Sequence, residues 1–199
     1  MVSKRVAFIP ARKGSKRLPE KNTKLLHGKP MIEYTIEAAM GCKFLHEIVI
    51  CTNDTNIMNL CQKYYTDSRV VIYIEPEELA QDNSKLHDVV KDTFKDYDKE
   101  TVIIYLQPTS PLRTTGDINR AFALYLETNN NGIIPGYWNP FEKVITLNGA
   151  VFIMTLGEII ENNAVMVENP TVYIFPRERC VDVDTLDEFK EVERLMQRD

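Results

Sequence analysis

The amino-acid sequence predicts an α/β domain with a mostly parallel central sheet. Short, almost uninterrupted apolar runs alternate with segments of helical periodicity as far as residue 127. Such runs are typical of strands that are buried on both faces of a parallel sheet. A length of 199 residues suits one domain, and no repeat, low-complexity segment or linker divides the chain. We therefore predict a single domain over residues 1–199.

Four strand–helix pairs are predicted in order along the first part of the chain. Each predicted strand is a compact apolar run, and each predicted helix carries apolar residues three or four positions apart. Pro30 stands in the first turn of the first helix, where proline is tolerated. The alternation predicts helices on both faces of the sheet. The pairs are 6–10 with 30–40, 47–53 with 55–65, 70–74 with 84–97, and 101–108 with 117–127.

After residue 130 the pattern is less regular. Further apolar segments at 132–138, 144–155 and 171–176 predict strands, and residues 185–198 predict a last helix. The stretch "TLDE" at the start of that helix matches a capping box, in which Thr185 and Glu188 each bond the other's backbone.

The distribution of charge favours a local anion site over a nucleic-acid surface. The formal net charge is −5, yet residues 1–29 carry nine lysines and arginines against one acid. A small basic patch on an acidic body fits a local anion better than a broad nucleic-acid-binding face. No apolar stretch approaches the roughly 18 residues of a membrane helix, and no signal-peptide pattern is found. We therefore expect a cytoplasmic protein.

The basic patch is concentrated in "IPARKGSKRLPEKN", residues 9–22, which follow the first predicted strand. In open α/β sheets ligands bind beyond the carboxyl ends of the strands. Gly14 allows a sharp turn whose backbone N–H groups, together with arginine and lysine side chains, can surround phosphate oxygens. The loop has neither the Walker nor the dinucleotide spacing. Composition alone therefore leaves two alternatives open, a phosphate site and a solvated basic loop.

Two further stretches carry candidate functional residues. In "YLQPTSPLR", residues 105–113, two prolines stiffen a turn after a buried strand, and the alternative is a purely structural strand-to-helix turn. In "CVDVD", residues 180–184, alternation places Asp182 and Asp184 on one face, with the valines toward the core. Paired carboxylates suit a hard divalent cation such as Mg²⁺. The alternative is helix capping, which Thr185 and Glu188 can accomplish alone.

Together these stretches resemble the acylneuraminate cytidylyltransferases, the CMP-sialic acid synthetase family. The matching segments are, in order, "IPARKGSKRLPEKNTKLLHGKPMIEYTIEAA", "LQPTSPLR", "NGAVFI" and "VDVDTLDEF". The resemblance implies a Rossmann-like three-layer nucleotidyltransferase fold. It also implies transfer of CMP from CTP to an acidic keto sugar, N-acetylneuraminate or a related nonulosonate, with release of pyrophosphate. Mg²⁺ or Mn²⁺ would be the cofactor, and the partners would be small molecules rather than nucleic acid or membrane.

The resemblance assigns roles to individual residues, although it marks none as the general base. The catalytic residues would be Arg12, Lys21 and Asp184, and the metal ligands Asp182 and Asp184. The nucleotide contacts would be Ala11, Arg12, Gly14, Ser15, Lys21, Asn22, Asp82 and Ser84. The sugar contacts would be Gln107, Ser110, Arg113, Lys143 and Phe152. The remaining loop cations, Lys13, Lys16 and Arg17, are expected to add only background positive charge.

The chain departs from the family in the region of the sugar site. The dimerisation subdomain, which in the family supplies an arginine to the partner's sugar site, is reduced or absent around residues 138–148. Thr146 and Leu147 stand where Arg-Pro is typical, residues 164–166 replace common aromatic positions, and Glu75 replaces a usually basic residue. Alternatives therefore stay open: an octulosonate or phosphonate acceptor, another nucleotide, or a non-catalytic nucleotide-binding paralogue. The family's homodimer is left open as well.

Overall fold

The computed structural model describes residues 3–64, 66–81, 83–129 and 132–197. Within these residues the chain forms ten strands and six α-helices. The strands are β1 (Arg5–Pro10), β2 (Leu25–Leu26), β3 (Lys29–Pro30), β4 (Glu47–Thr52), β5 (Val70–Ile74), β6 (Val102–Tyr105), β7 (Ile133–Asn139), β8 (Val144–Leu147), β9 (Phe152–Thr155) and β10 (Thr171–Ile174). The helices are α1 (Met31–Met40), α2 (Thr55–Cys61), α3 (Leu86–Thr93), α4 (Thr115–Glu127), α5 (Leu156–Asn162) and α6 (Leu186–Met196).

Eight of these strands form one mixed sheet. Its order is β10-β7-β9-β6-β1-β4-β5, and β8 pairs with β7 outside this path. The central strand β1 is parallel to β4 and β6, β5 is parallel to β4, and β10 is parallel to β7. Strand β9 is antiparallel to both β6 and β7, and β8 is antiparallel to β7. The predicted α/β fold with a mostly parallel, mixed sheet is confirmed.

The central strand shows why the apolar runs are uninterrupted. Ala7 and Ile9 of β1 belong to the apolar layer on one face of the sheet, and Val6 and Phe8 belong to the layer on the other face. All four are fully buried. Helices α1 and α4 pack into the first layer, and α3 and α5 into the second. Both faces of the sheet are therefore covered, so neither face of β1 contacts solvent and polar residues do not alternate with apolar ones along the strand.

The sequence pattern misplaces several element boundaries. The apolar run 144–155 predicts one strand but forms β8 and β9, because the chain turns at Asn148, whose Oδ1 accepts from the Ala150 N–H at 2.9 Å. Helix α5 and the short β2–β3 hairpin were not predicted. The "TLGE" capping box of Thr155 and Glu158 is the signal that would have found α5. In the described part of the chain, no helix combines the length and apolarity that a bilayer crossing needs.

Candidate active site

A cleft of about 590 Å³ opens where the loops after β1 and β6 meet the segment before α6. Because β1 and β6 are adjacent and parallel, both loops leave the same edge of the sheet. The lining brings four cations together with two carboxylates that lie about 160 residues further along the chain. These residues are Arg12, Lys16, Arg17, Lys21, Asp182 and Asp184.

The loop after β1 is tied to the neighbouring strand β4 by its backbone. The Ala11 N–H donates to the Cys51 carbonyl at 2.8 Å, and the Thr52 hydroxyl donates to the Ala11 carbonyl at 2.6 Å. Next along the loop, the Lys13 N–H donates to the Asn53 side chain at 2.7 Å. Ala11 is buried, so its contribution to a nucleotide site is confined to its backbone. These bonds fix the position of the beginning of the loop relative to β4.

The loop turns at Gly14 and is anchored again at Leu18. Gly14 has φ of +83°, and a Cβ there would meet nothing within 4 Å. The conformation, rather than a lack of space, therefore favours glycine at this position. Leu18 is buried in an apolar cluster with Leu26, Val183 and Phe189. The cationic loop and the segment that carries the two aspartates thus share one apolar anchor.

The segment 180–184 confirms the predicted alternation, although it forms no strand of the sheet. Val183 is fully buried and its N–H donates to the Thr109 carbonyl at 2.8 Å. Asp182 and Asp184 both line the cleft. The capping box of Thr185 and Glu188 is present at the start of α6. Since Thr185 caps that helix with its own side chain, neither aspartate side chain is needed as its N-cap.

Asp184 joins two of the loop cations. Its Oδ1 lies 2.7 Å from Lys21 Nζ, and its Oδ2 lies 2.7 Å from Arg17 Nη2. Lys21 is the more buried of these cations, with 13% of its side chain exposed, against 68% for Arg17. Lys16 and Arg17 were expected to add only background charge, but both line the cleft, and Arg17 pairs with Asp184. A run of charges in the sequence does not show which of its members meets a distant carboxylate.

Asp182 is the more buried carboxyl group, and it is incompletely satisfied. Its Oδ1 is buried and has no hydrogen-bond partner among the described residues. Burial raises the pKa of Asp182; the Asp184 charge acts in the same direction, whereas the Thr109 hydroxyl and Lys21 oppose it. A buried oxygen without a partner is the kind of group that a ligand or cation satisfies. The donor set, two carboxylates, fits a hard cation that completes its shell with water and phosphate oxygens.

A second cavity, of about 260 Å³, adjoins the cleft and shares Pro10, Arg12 and Tyr105 with it. Arg12 Nη1 donates to the Ala80 carbonyl at 3.3 Å, so this side chain bridges the loops after β1 and β5. Ser84 lines the second cavity, whereas Ser15 and Asn22 line the main cleft. Asp82 lies outside the described residues. The structure therefore brings most of the predicted nucleotide contacts to two connected cavities.

Among the predicted sugar contacts, Gln107 lines the cleft, and Phe152 lies behind its surface. Gln107 Oε1 accepts from the Thr109 hydroxyl at 3.3 Å. The ring of Phe152 packs on Tyr105 with centroids 5.5 Å apart, and Tyr105 itself lines the cleft. A Cβ built on Gly149 would lie 1.9 Å from Gln107 Oε1. Gly149, in the "NGAVFI" motif, therefore leaves the space that the Gln107 side chain occupies.

Three of the predicted sugar contacts are placed elsewhere. Ser110 and Arg113 are each only 2% exposed, and neither lines the cleft. Arg113 donates to the Gln107 and Ala150 carbonyls and to the Thr35 hydroxyl. Burial lowers the pKa of Arg113 to about 10, so it stays charged at neutral pH. Lys143 lies in the exposed turn between β7 and β8, also outside the cleft lining. For Ser110 and Arg113 the structure favours the alternative of a structural turn.

We expect Arg113→Met to destabilise the protein by about 2–4 kcal/mol, because it leaves buried carbonyl acceptors without their charged donor. Urea unfolding at pH 7, followed by circular dichroism, measures the free energy of unfolding. Arg194→Met, on an exposed position of α6, is the matched control and should change stability by less than about 0.5 kcal/mol. Equal stability of the two variants would show that Arg113 does not hold this turn.

The fold and the cleft define the class of protein first. A mixed α/β sheet whose first loop gathers cations beside two carboxylates is typical of a nucleotide-binding enzyme. The sequence profile of the family described as Cytidylyltransferase matches residues 6–175. The chain belongs to the cytidylyltransferase family, and it is a CTP-dependent nucleotidyltransferase.

Individual relatives agree with this placement. The CMP-N,N'-diacetyllegionaminic acid synthase of Legionella pneumophila is 31% identical over 226 residues, covering 96% of each chain. The N-acylneuraminate cytidylyltransferase of Streptococcus agalactiae is 27% identical over 94% of this chain, which spans about half (52%) of that protein. A solved CMP:2-keto-3-deoxy-manno-octonic acid synthetase complexed with CTP shares the fold, with a TM-score of 0.70 at 17% identity, over 98% of this chain and 99% of that one. The 226 aligned positions exceed the 199 residues of this chain, so the Legionella protein has segments without a counterpart here.

Proposed function

We propose that the protein transfers CMP from CTP to an acidic keto sugar of the nonulosonate class and releases pyrophosphate. One observation carries the proposal: the cationic loop after β1 and the paired aspartates line a single cleft in a member of the cytidylyltransferase family. The names of the relatives support the acceptor class, since they refer to acylneuraminate and diacetyllegionaminic acid. An octulosonate or phosphonate acceptor is the alternative.

The triphosphate of CTP would lie against Arg12, Ser15 and Lys21 in the main cleft. Gly14 keeps this part of the loop free of a Cβ, so backbone N–H groups can approach phosphate oxygens. The cytosine would then lie in the second cavity. Arg12 lines both cavities, so a nucleotide whose phosphates contact Arg12 in the main cleft can extend past this side chain into the second cavity. Ser84 lines that cavity, and Asn22 lines the main cleft on the side of the nucleoside in this arrangement.

Asp182 and Asp184 would hold Mg²⁺ or Mn²⁺. When bound, the ion supplies positive charge at the α-phosphate and lowers the pKa of the attacking hydroxyl. Among the described residues, no cluster of three or more histidine, cysteine or acidic side chains could hold a metal. Water and the substrate would therefore supply the remaining ligands. Lys21 and Arg17, which bond Asp184, lie in the same cleft and can offset charge on the leaving pyrophosphate.

The acceptor sugar would lie on the Gln107 side of the cleft. Tyr105 and Thr109 line the same region and supply further polar groups. Burial raises the pKa of the Tyr105 hydroxyl, so that hydroxyl stays protonated at neutral pH and is able to donate. No side chain is assigned as the general base. The main demand on the protein is positioning and charge stabilisation, which the cleft supplies.

The test is a pyrophosphate-release assay with CTP, Mg²⁺ and a panel of keto-acid sugars that includes nonulosonates and octulosonates. We expect release with at least one nonulosonate, and no release without the metal. UTP, GTP and ATP in place of CTP serve as nucleotide controls. A folded protein that binds CTP but releases no pyrophosphate across the panel would contradict the proposal and favour a non-catalytic paralogue.

Gly149→Ala is expected to raise the KM for the acceptor sugar by about tenfold while leaving the KM for CTP within about twofold. The new Cβ would overlap the Gln107 side chain, which then has to move away from its position in the sugar site. Initial rates with each substrate varied in turn measure both constants. The matched control is Gly157→Ala, where a Cβ meets Lys99 at an ordinary 3.4 Å. Unchanged acceptor kinetics in the Gly149 variant would remove Gln107 from the sugar site.

The single-domain assignment, the cytoplasmic location and the reduction of the dimerisation subdomain around 138–148 stay predictions. That stretch includes the end of β7, where Trp138 is 52% exposed, and the turn that follows, where Phe141 is 82% exposed. Apolar exposure at one hairpin is a common feature of contact surfaces. A homodimer through this hairpin is the alternative to a monomer, and sedimentation velocity distinguishes them, since the monomer mass is 23.0 kDa.

A further inference from the structure

Glu75 is a buried acid that the site described so far does not use. It is the first residue after β5, and its backbone N–H donates to the Thr52 carbonyl at 3.0 Å. The residue is 4% exposed, and its Oε2 is buried without a hydrogen-bond partner among the described residues. Burying a carboxyl oxygen without a hydrogen-bond partner destabilises the folded protein, which suggests that a ligand supplies the partner. Glu75 also forms part of the wall of the 260 Å³ cavity.

The size of this cavity suits a single ring. Its volume lies just below the roughly 300 Å³ at which pockets for drug-sized ligands begin. Leu79, Leu86 and Val89 supply the apolar part of its lining, together with Pro10. Glu75 and Arg12 bring charge-bearing groups to the lining. An aromatic base, which has apolar faces and a polar edge, matches a cavity whose lining combines apolar and polar side chains.

The surroundings of Glu75 favour the protonated carboxyl. Burial raises its pKa to about 7; Arg12, from the loop after β1, opposes this, and Glu77, in the same loop as Glu75, adds to it. Among the described residues, the other titratable groups nearby are Cys51 of β4, whose thiol interacts electrostatically with Glu75, and Tyr105 of β6, which lines the same cavity. Helix α3 contributes only Leu86 and Val89 to the lining.

We propose that the carboxyl group of Glu75 hydrogen-bonds the polar edge of cytosine, its O–H donating to N3 and its carbonyl oxygen accepting from the N4 amino group. This inference rests on the proposed function, which puts the triphosphate in the adjoining cleft. Acceptance from the N4 amino group is the usual contact between an acidic side chain and cytosine. The two bonds satisfy both oxygens of Glu75. Glu75, which the sequence analysis counts among the departures near the sugar site, therefore lies in the second cavity and does not line the main cleft.

The pairing makes the affinity for CTP depend on pH in a stated direction. As pH rises through 7, Glu75 loses the proton that N3 accepts, and its carboxylate then faces the N3 lone pair. The affinity of the wild-type protein for CTP should therefore fall between pH 6.5 and pH 8.5. The Glu75→Gln variant keeps one donor and one acceptor at every pH, so its affinity for CTP should not show the fall that deprotonation of Glu75 causes.

The experiment measures Kd by isothermal titration calorimetry for wild type, Glu75→Gln and Glu75→Ala, with CTP and with inorganic triphosphate as probes. At pH 6.5 we expect the Gln variant within about threefold of wild type, and the Ala variant weaker by about tenfold or more for CTP, as expected when hydrogen bonds in a buried site are lost. Between pH 6.5 and 8.5 the ratio of wild-type to Gln-variant Kd should rise about tenfold, which corresponds to one unit of pKa difference. Titration of the phosphates cancels in this ratio, and inorganic triphosphate should bind all three proteins equally.

Two results would overturn the inference. One is an Ala variant that binds CTP as wild type does at pH 6.5, and the other is a constant ratio of wild-type to Gln-variant Kd across the pH range. If circular dichroism shows that the Ala variant does not fold, the pH comparison with the nearly isosteric Gln variant still decides. Failure of wild type to bind both CTP and inorganic triphosphate would instead contradict the proposed phosphate site, which separates the two hypotheses.

Discussion

Asp184→Asn is expected to lower kcat/KM for pyrophosphate release by about 100-fold or more, the loss seen when a charged group that stabilises the transition state is removed. The substitution keeps the size of the side chain but removes its charge. It therefore weakens the proposed metal site and also both ion pairs, to Lys21 and to Arg17. Initial rates with CTP and the acceptor found in the sugar panel, over a range of Mg²⁺ concentrations, measure the effect.

The matched control is Asp187→Asn, an exposed position in the first turn of α6. It removes the same charge three residues away and should leave kcat/KM within about twofold, since exposed charges contribute little. The Mg²⁺ titration identifies the cause, because loss of a metal ligand raises the Mg²⁺ concentration at half-maximal rate. A near-normal rate in the Asp184 variant would remove this residue from the catalytic set.

Lys21→Ala is the second large effect, and we expect kcat/KM to fall by about 100-fold or more. The ammonium group is mostly buried and lies 2.7 Å from Asp184, so it is fixed in the cleft rather than mobile in solvent. A fixed, partly desolvated charge stabilises a leaving pyrophosphate more strongly than an exposed one. The loss should appear mainly in kcat if the contact is made in the transition state, and mainly in the KM for CTP if it is made equally in the ground state.

Lys13→Ala is the control for this variant, because Lys13 belongs to the same loop but is exposed and does not line the main cleft. Its removal should lower kcat/KM by no more than about threefold, and this small loss should diminish as salt screens the exposed charge. If both lysine variants lose activity equally, the loop acts through its overall field and Lys21 has no specific role.

Local sequence patterns predicted the elements of the fold that depend on neighbouring residues. The strand 70–74 is found with the predicted bounds, and the helix predicted over 30–40 begins one residue later, at Met31, because Pro30 is extended and precedes the helix. The capping box of Thr185 and Glu188 was readable because its two partners are three residues apart. By contrast, the split of 144–155 was not predicted, although the pair Asn148–Gly149 is a local turn signal. What only the fold decided is that β8 lies at the exposed edge beside β7, whereas β9 is buried between β6 and β7.

For the site, the sequence by itself determined the chemistry, namely a cationic loop after the first strand and a pair of aspartates with alternate spacing. The tertiary structure alone decided which of these groups meet. It joined Asp184 to Lys21 and Arg17, turned Arg113 away from the cleft toward buried carbonyls, and buried Glu75 in the lining of the second cavity. The physical reason is that periodicity reports only local geometry, whereas burial, pKa and ion pairing depend on groups that the fold brings from distant parts of the chain.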